Sequence, residues 1–326
     1  MVKVDLVTGF LGAGKTTFIQ KYLGYLSSRG QKVHVIENEF GIVSADSDFL
    51  AEDDCDISDL TGCCMCCTGK DNFEAMLGES DGHGYDRVVV EPSGVYDVDE
   101  FFESMFSDYV RRHCEIGSVL TIVDADLDPD LSDSTRYMIF SQILAAGAIL
   151  LSKSQMTTPE RIAQTKQYLQ EIVTMFDPGM ILDKPIITAD WEELDDEAFE
   201  KLMNCGYRIE EHARKAFSHE AAYQSMEGAS LCRDQAHLEE IIETLMAPEN
   251  RDTYGQVFRI KGHIKDTAGN GYAVNVSRDC RVIRPVDFRR KLYVIIGESL
   301  KTEKIEALFV PRPAVSRRRK AGTEQA

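Results

Sequence analysis

Residues Val2-Lys3-Val4-Asp5-Leu6-Val7-Thr8-Gly9-Phe10-Leu11-Gly12-Ala13-Gly14-Lys15-Thr16-Thr17 decide the fold of this 326-residue chain. A β-branched apolar run leads into a glycine-rich turn, and the turn leads into a helical pattern over Thr16–Ser28. Gly9 to Thr16 fits G-x-x-x-x-G-K-[ST] in the strand-to-helix context that gives this pattern its meaning. Glycines let successive backbone N–H groups converge on phosphates, and the next helix turns its N-terminus toward them. Gly9, Gly12, Ala13, Gly14, Lys15, Thr16 and Thr17 are therefore expected to bind a nucleotide. In this pattern Lys15 reaches the β/γ-phosphates, and the Thr16 hydroxyl ligates Mg2+.

Beyond this first strand and helix, Lys32–Glu37, Arg87–Glu91, Ser118–Val123, Ala148–Ser152 and Pro185–Thr188 read as further strands, several apolar on successive residues as in strands buried on both faces. Helical patterns at Val98–Phe106, Thr135–Ala145 and Pro159–Met175 alternate with them. That alternation predicts an α/β fold, a doubly wound, mostly parallel sheet, ending near residue 190. Beyond Trp191 the pattern changes to acidic helical segments at Glu192–Leu202 and Asp234–Met246, followed by strand-like runs at Gly255–Lys261, Tyr272–Ser277, Arg281–Arg284 and Leu292–Gly297. A second, smaller α+β domain is expected over 191–310, with a disordered tail over 311–326.

Hydrophobic residues make up 43% and charged residues 28% of the chain, an ordinary balance for a folded soluble protein. A net charge of −19 repels a phosphate backbone, so nucleic acid is not an expected partner. No stretch approaches the roughly 20 apolar residues that cross a bilayer. The first strand starts almost at Met1 and leaves no room for a leader, so a cytoplasmic location is expected. No heptad or apolar patch sets an oligomeric state.

Val88-Val89-Val90-Glu91 brings a carboxylate to the carboxyl edge of the sheet, where ligands of this fold bind. Glu91 is a candidate for the magnesium shell and, with Lys15, for the catalytic pair. Ser152-Lys153-Ser154-Gln155 occupies the place where a GTPase carries its base-reading segment. An aspartate at its last position would accept two hydrogen bonds from guanine, whereas Gln155 offers one carbonyl oxygen and an amide donor. Thr188-Ala189 matches the small turn that backs the base. Cys64-Met65-Cys66-Cys67 places three thiolates within four residues, a donor set for Zn2+, Cu(I) or a similar ion. The fourth position is open to Glu39, a histidine or water. A redox cluster or inert buried cysteines are the alternatives at this point.

Four segments in order, Thr8–Thr17, Glu37-Asn38-Glu39-Phe40-Gly41, Cys64–Cys67 and Glu91-Pro92-Ser93-Gly94, resemble the CobW-like family of P-loop GTPases, a family of zinc and cobalt metallochaperones and metalloenzyme activators. Val257–Gly262 looks like its C-terminal strand signature. The resemblance implies a first switch at Asn38–Gly41 with Asp46, a second at Glu91–Gly94, and a metal site of Cys64, Cys66 and Cys67 between them. Cys63, Ile42 and Gln155 depart from the family pattern. The implied activity is slow GTP hydrolysis with Mg2+, GTP and GDP as nucleotides, coupled to delivery of Zn2+ or Co2+ to a client metalloprotein. Rival readings are an ATP-using activator of a metal or corrinoid enzyme and a nucleotide-gated scaffold with negligible hydrolysis.

Overall fold

The computed structural model describes residues 1–37, 55–59, 69–209, 223–278, 281–287 and 292–310. Backbone contacts divide the chain into two units, Met1–Ser225 with Ser277–Cys280, and Met226–Val276 with Arg281–Ala326.

The first unit holds β1 (Val2–Thr8), β2 (Val33–Glu37), β3 (Cys55–Asp59), β4 (Arg87–Glu91), β5 (Cys114–Asp124), β6 (Ala148–Ser152) and β7 (Ile186–Ile187). They form one sheet in the order β3-β2-β4-β1-β5-β6-β7, with every neighbouring pair parallel. This is the doubly wound sheet that the strand and helix alternation predicts. From β1 the chain winds to one side for β2 and later to the other for β5, β6 and β7. The carboxyl ends of β1 and its neighbours are thus the topological switch point, where this architecture takes its ligand.

The continuous apolar runs are explained by two covered faces. Val4, Leu6, Val88 and Val90 join Phe73, Leu77 and Phe101 in one layer. Val7, Val35, Val89 and Ile122 join Phe18, Ile19, Tyr22 and Leu23 in the other. In α1 (Lys15–Ser28), apolar residues three and four apart form one buried stripe, which seats the helix on the sheet. Two further helices are α2 (Lys70–Gly82) and α3 (Val98–Met105). Next come α4 (Asp133–Ala145), capped by the Ser132 hydroxyl, and α5 (Pro159–Phe176), capped by Thr158 with Pro159 at its first position. The expected helix over 192–202 is divided. A 3-10 turn covers Trp191–Glu193, and α6 (Asp196–Met203) restarts where the Asp195 carboxylate accepts from Ala198 N. Phe199 of α6 stacks on Tyr25 of α1 with ring centroids 5.3 Å apart.

A buried ion pair crosses the sheet. Asp5 of β1 is 0% exposed and Arg87 of β4 is 3% exposed. Arg87 Nη1 donates to Asp5 Oδ1 at 2.6 Å, Tyr22 Oη donates to Oδ2 at 2.7 Å, and Ser118 N donates to Oδ1 at 2.8 Å. These donors satisfy a charge that burial alone would expel.

Two elements of this unit go beyond the sequence reading. β3 is an edge strand with a single apolar residue, Ile57, within Cys-Asp-Ile-Ser-Asp, and α2 carries its buried Phe73 and Leu77 among acidic and glycine positions. β5 begins at Cys114, earlier than expected, and β7 is reduced to two residues.

The second unit is built around a six-stranded sheet of β8 (Tyr223–Gly228), β9 (Leu231–Cys232), β10 (Gln256–Asp266), β11 (Gly271–Ser277), β12 (Arg281–Pro285) and β13 (Leu292–Glu298). Its order is β12-β11-β10-β13-β8, with β9 beside β10. The β10–β13 and β11–β12 pairs are antiparallel. Against it lies α7 (Gln235–Met246), whose Leu238, Ile241, Ile242 and Leu245 pack with Ile260, Ile264, Val274, Tyr293 and Ile295. The Val257–Gly262 run lies in β10. Among the described residues no helix is long and apolar enough to cross a membrane.

Candidate functional site

The loop between β1 and α1 is set by backbone geometry. Gly9, Gly12 and Gly14 all have positive φ. Gly14 is the N-cap of α1 at φ 95°, with no side-chain cap and no acidic residue in the first turn. A helix start that lacks a capping side chain keeps its first N–H groups for an anion, and the helix dipole adds positive potential there. Ala13 N donates to Phe10 O at 3.1 Å and closes the turn. Lys15 is 8% exposed, and its Nζ donates to Gly9 O at 3.1 Å, so the ammonium lies back over the loop. Thr17 is exposed.

Glu91, at the end of β4, reaches the start of α1. The Thr16 hydroxyl donates to Glu91 Oε1 at 2.9 Å and lies 3.1 Å from Oε2. Parallel pairing of β1 with β4 brings these two carboxyl-edge groups together although they are 75 residues apart in sequence. Hard oxygen donors at this spacing fit a magnesium ion. Adjacent ligands of an octahedron with Mg–O bonds of about 2.0–2.1 Å are about 2.9 Å apart. Gly94 follows at close quarters, since a Cβ built on it would stand 2.5 Å from Leu11 N and 2.8 Å from Leu11 Cα. The Gln142 amide holds this segment by donating to Gly94 O at 3.3 Å.

The segment Ser152–Gln155 is tied to the same loop. Lys153 takes a left-handed φ of 55°, and its Nζ donates to Gly12 O at 3.0 Å and to Asp124 Oδ2 at 2.8 Å. Ser152 is buried, and its hydroxyl donates to Val123 O at 3.3 Å. Gln155 is exposed, within the 3-10 turn Ser154–Met156. The Thr188 hydroxyl is buried with no hydrogen-bond partner among the described residues. β6 pairs with β7 through Ile149–Ile186 and Leu150–Ile187, so the segments after them, carrying Gln155 and Thr188, emerge at the same sheet edge.

Glu39, Cys64, Cys66 and Cys67 lie outside the described residues, as do Cys63, Asn38, Phe40, Gly41, Ile42 and Asp46. Among the described residues no group of three or more His, Cys, Asp or Glu side chains is placed to hold a metal ion. Three other cysteines stand apart, and burial pushes the thiols of Cys114, Cys205 and Cys232 up to about 11, which keeps them protonated near neutral pH.

Two residues that the sequence pattern does not single out stand beside this loop and the segment tied to it. Asp124 closes the apolar run of β5 as Glu91 closes that of β4, a signal that was available, and it anchors Lys153. Trp191 sets its indole edge 3.3 Å from where a Gly14 Cβ would stand and packs edge-on against Phe18, with ring centroids 5.4 Å apart. No sequence pattern marked it.

The sequence profile of the CobW/HypB/UreG nucleotide-binding domain matches residues 3–177. The zinc chaperone YjiA of Escherichia coli strain K12 is 36% identical over 162 residues, 47% of this chain and 49% of the relative. The zinc chaperone YeiR of the same strain is 30% identical over 172 residues, 52% of each chain. A crystal structure of zinc-bound YjiA GTPase from E. coli covers 94% of this chain and 97% of its own, at 19% identity and a TM-score of 0.40. The chain spans about half the length of the curated relatives it matches.

Proposed function

We propose that this chain, which belongs to the CobW/HypB/UreG nucleotide-binding family, is a GTPase that couples nucleotide state to the holding and delivery of a transition metal, zinc or cobalt, for a client metalloprotein. The observation that carries the nucleotide half is the meeting of Thr16 and Glu91 at 2.9 Å beside the uncapped start of α1. Loop amides of Gly9–Thr17 would bind the phosphates, and Lys15 would neutralise charge building on the γ-phosphate. Bound Mg2+ would be held by Thr16 and Glu91 and would supply charge neutralisation across the phosphates. Phosphoryl transfer to water asks for positioning and charge stabilisation more than for covalent chemistry, and this set of residues is suited to that demand.

Cys64, Cys66 and Cys67, with Glu39, are the proposed seat of the transported ion. Thiolate donors with one exchangeable position suit a site that releases its cargo. The names of the relatives, zinc chaperones, support the metal assignment. A response of the proposed switch segments, Asn38–Gly41 and Glu91–Gly94, to the γ-phosphate would change the thiolate geometry, and a tenfold change in metal affinity needs only about 1.4 kcal/mol.

Lys15→Ala tests the nucleotide half. GTP hydrolysis should disappear while zinc binding to the full-length chain persists; turnover retained in that variant would remove the phosphate-site assignment.

A further inference from the structure

We infer that Gln155 makes the base pocket tolerant of the purine 2-substituent, so that the site accepts 6-oxopurine nucleotides generally and favours a 2-oxo base over guanine. This deepens the proposed function and rests on its reading of residues 152–155 as the base-side segment.

Two contacts of Lys153 hold this segment in place. Lys153 is pinned through Nζ to Gly12 O at 3.0 Å and to Asp124 at 2.8 Å, and its left-handed backbone turns the chain sharply into the 3-10 turn that carries Gln155. A non-glycine residue held at φ 55° marks a position fixed by its surroundings, and here those surroundings are the phosphate loop itself. Gln155 is two residues beyond this anchor, exposed, and makes no hydrogen bond among the described residues. The buried Thr188 hydroxyl, also without a partner there, lies at the end of the neighbouring strand. Gln155 thus has hydrogen-bonding capacity to give to a ligand, and its segment follows the strand that pairs with the one preceding Thr188.

The chemistry of the carboxamide then decides which bases fit. Guanine presents two donors side by side, N1–H and the 2-amino group, and a carboxylate accepts both. A carboxamide has one acceptor and one donor. With Oε1 on N1–H, its Nε2–H faces the 2-amino group, donor against donor. Xanthine carries O2 there and accepts from Nε2–H, giving two matched bonds. Hypoxanthine carries only C2–H and keeps one matched bond with no clash. Gln155 therefore removes the feature that singles out guanine and supplies one complementary to a 2-oxo base.

The test is calorimetric titration of GDP, IDP and XDP, with Mg2+, into the full-length chain and into Gln155→Glu and Gln155→Asp variants. Gln155→Glu keeps side-chain length and volume at an exposed position, and Gln155→Asp supplies the shorter carboxylate. The native chain should bind the three diphosphates within about tenfold of one another, XDP tightest, and the carboxylate variants should shift the GDP-to-XDP affinity ratio toward GDP by at least about tenfold, the scale expected of one bidentate pair. A native chain that binds GDP more than tenfold tighter than both IDP and XDP overturns the inference. So do unchanged ratios in both variants, which would put the base elsewhere while leaving the phosphate site standing. Failure of all three diphosphates to bind the native chain would instead remove the nucleotide reading on which the inference rests.

Discussion

Gly94→Ala puts a methyl group where the structure has no room for one. The new Cβ would stand 2.5 Å from Leu11 N, 2.8 Å from Leu11 Cα and 2.9 Å from Phe10 C. All three are backbone atoms of the phosphate loop, so no flexible side-chain end can swing aside, and either Glu91–Gly94 or the loop must shift. Overpacking of this kind costs about 1–3 kcal/mol. If the strain is relieved by displacing the loop amides, the same energy appears as lost nucleotide affinity, about 5- to 150-fold at 1.4 kcal/mol per decade. Calorimetric titration of GDP into the variant, alongside urea unfolding without nucleotide, separates lost affinity from lost stability. Gly24→Ala is the control, since a Cβ at that position in α1 meets nothing within 4 Å. It should raise stability by about 0.5–1 kcal/mol through helix propensity and leave GDP binding alone. GDP affinity in Gly94→Ala within twofold of the native value, with unchanged stability, would refute the claim that these two loops are in contact.

Two further predictions concern the scaffold. Arg87→Met leaves the Asp5 carboxylate buried without its cation and should cost about 3–5 kcal/mol in urea unfolding, while Asp5→Leu combined with Arg87→Met should recover most of that loss; equal instability of both would show that the pair contributes more than charge compensation. His34 is buried, with Nδ1 2.9 Å from Ser80 Oγ and Nε2 3.0 Å from Ser58 Oγ, and burial lowers its pKa to about 4. Because the folded value lies below the unfolded one of about 6.5, its stabilising contribution is complete above pH 6.5 and is lost as pH falls toward 4, a total of about 3 kcal/mol. His34→Gln should lack that slope in unfolding measured across this window, and an identical slope in both proteins would contradict the assignment.

The turn between β1 and α1 is legible in the sequence because its signals are local. Gly9–Thr16 specifies its own turn, and Glu91 announces itself as a carboxylate ending a buried strand. Long-range placement was less legible. Glu91 and Thr16 meet only because β1 and β4 are parallel neighbours, a fact of sheet order that no spacing in the sequence contains. β3 could not be read from Cys-Asp-Ile-Ser-Asp, because an edge strand with one neighbour needs little apolar surface, and its pairing with β2 supplies what propensity does not. Trp191 is illegible for a similar reason. Its neighbours are Gly14 and Phe18, which only the folded chain brings beside it.

The most direct test of the central proposal joins the two halves of the molecule's chemistry. GTP affinity and hydrolysis should be measured on the full-length chain with and without one equivalent of Zn2+ or Co2+, together with a variant carrying Cys64→Ser, Cys66→Ser and Cys67→Ser. A metal-dependent change in affinity or turnover of about tenfold, about 1.4 kcal/mol of coupling, that vanishes in the cysteine variant is the predicted result. Identical nucleotide behaviour in all samples, with metal bound or absent, would contradict a metal-coupled switch.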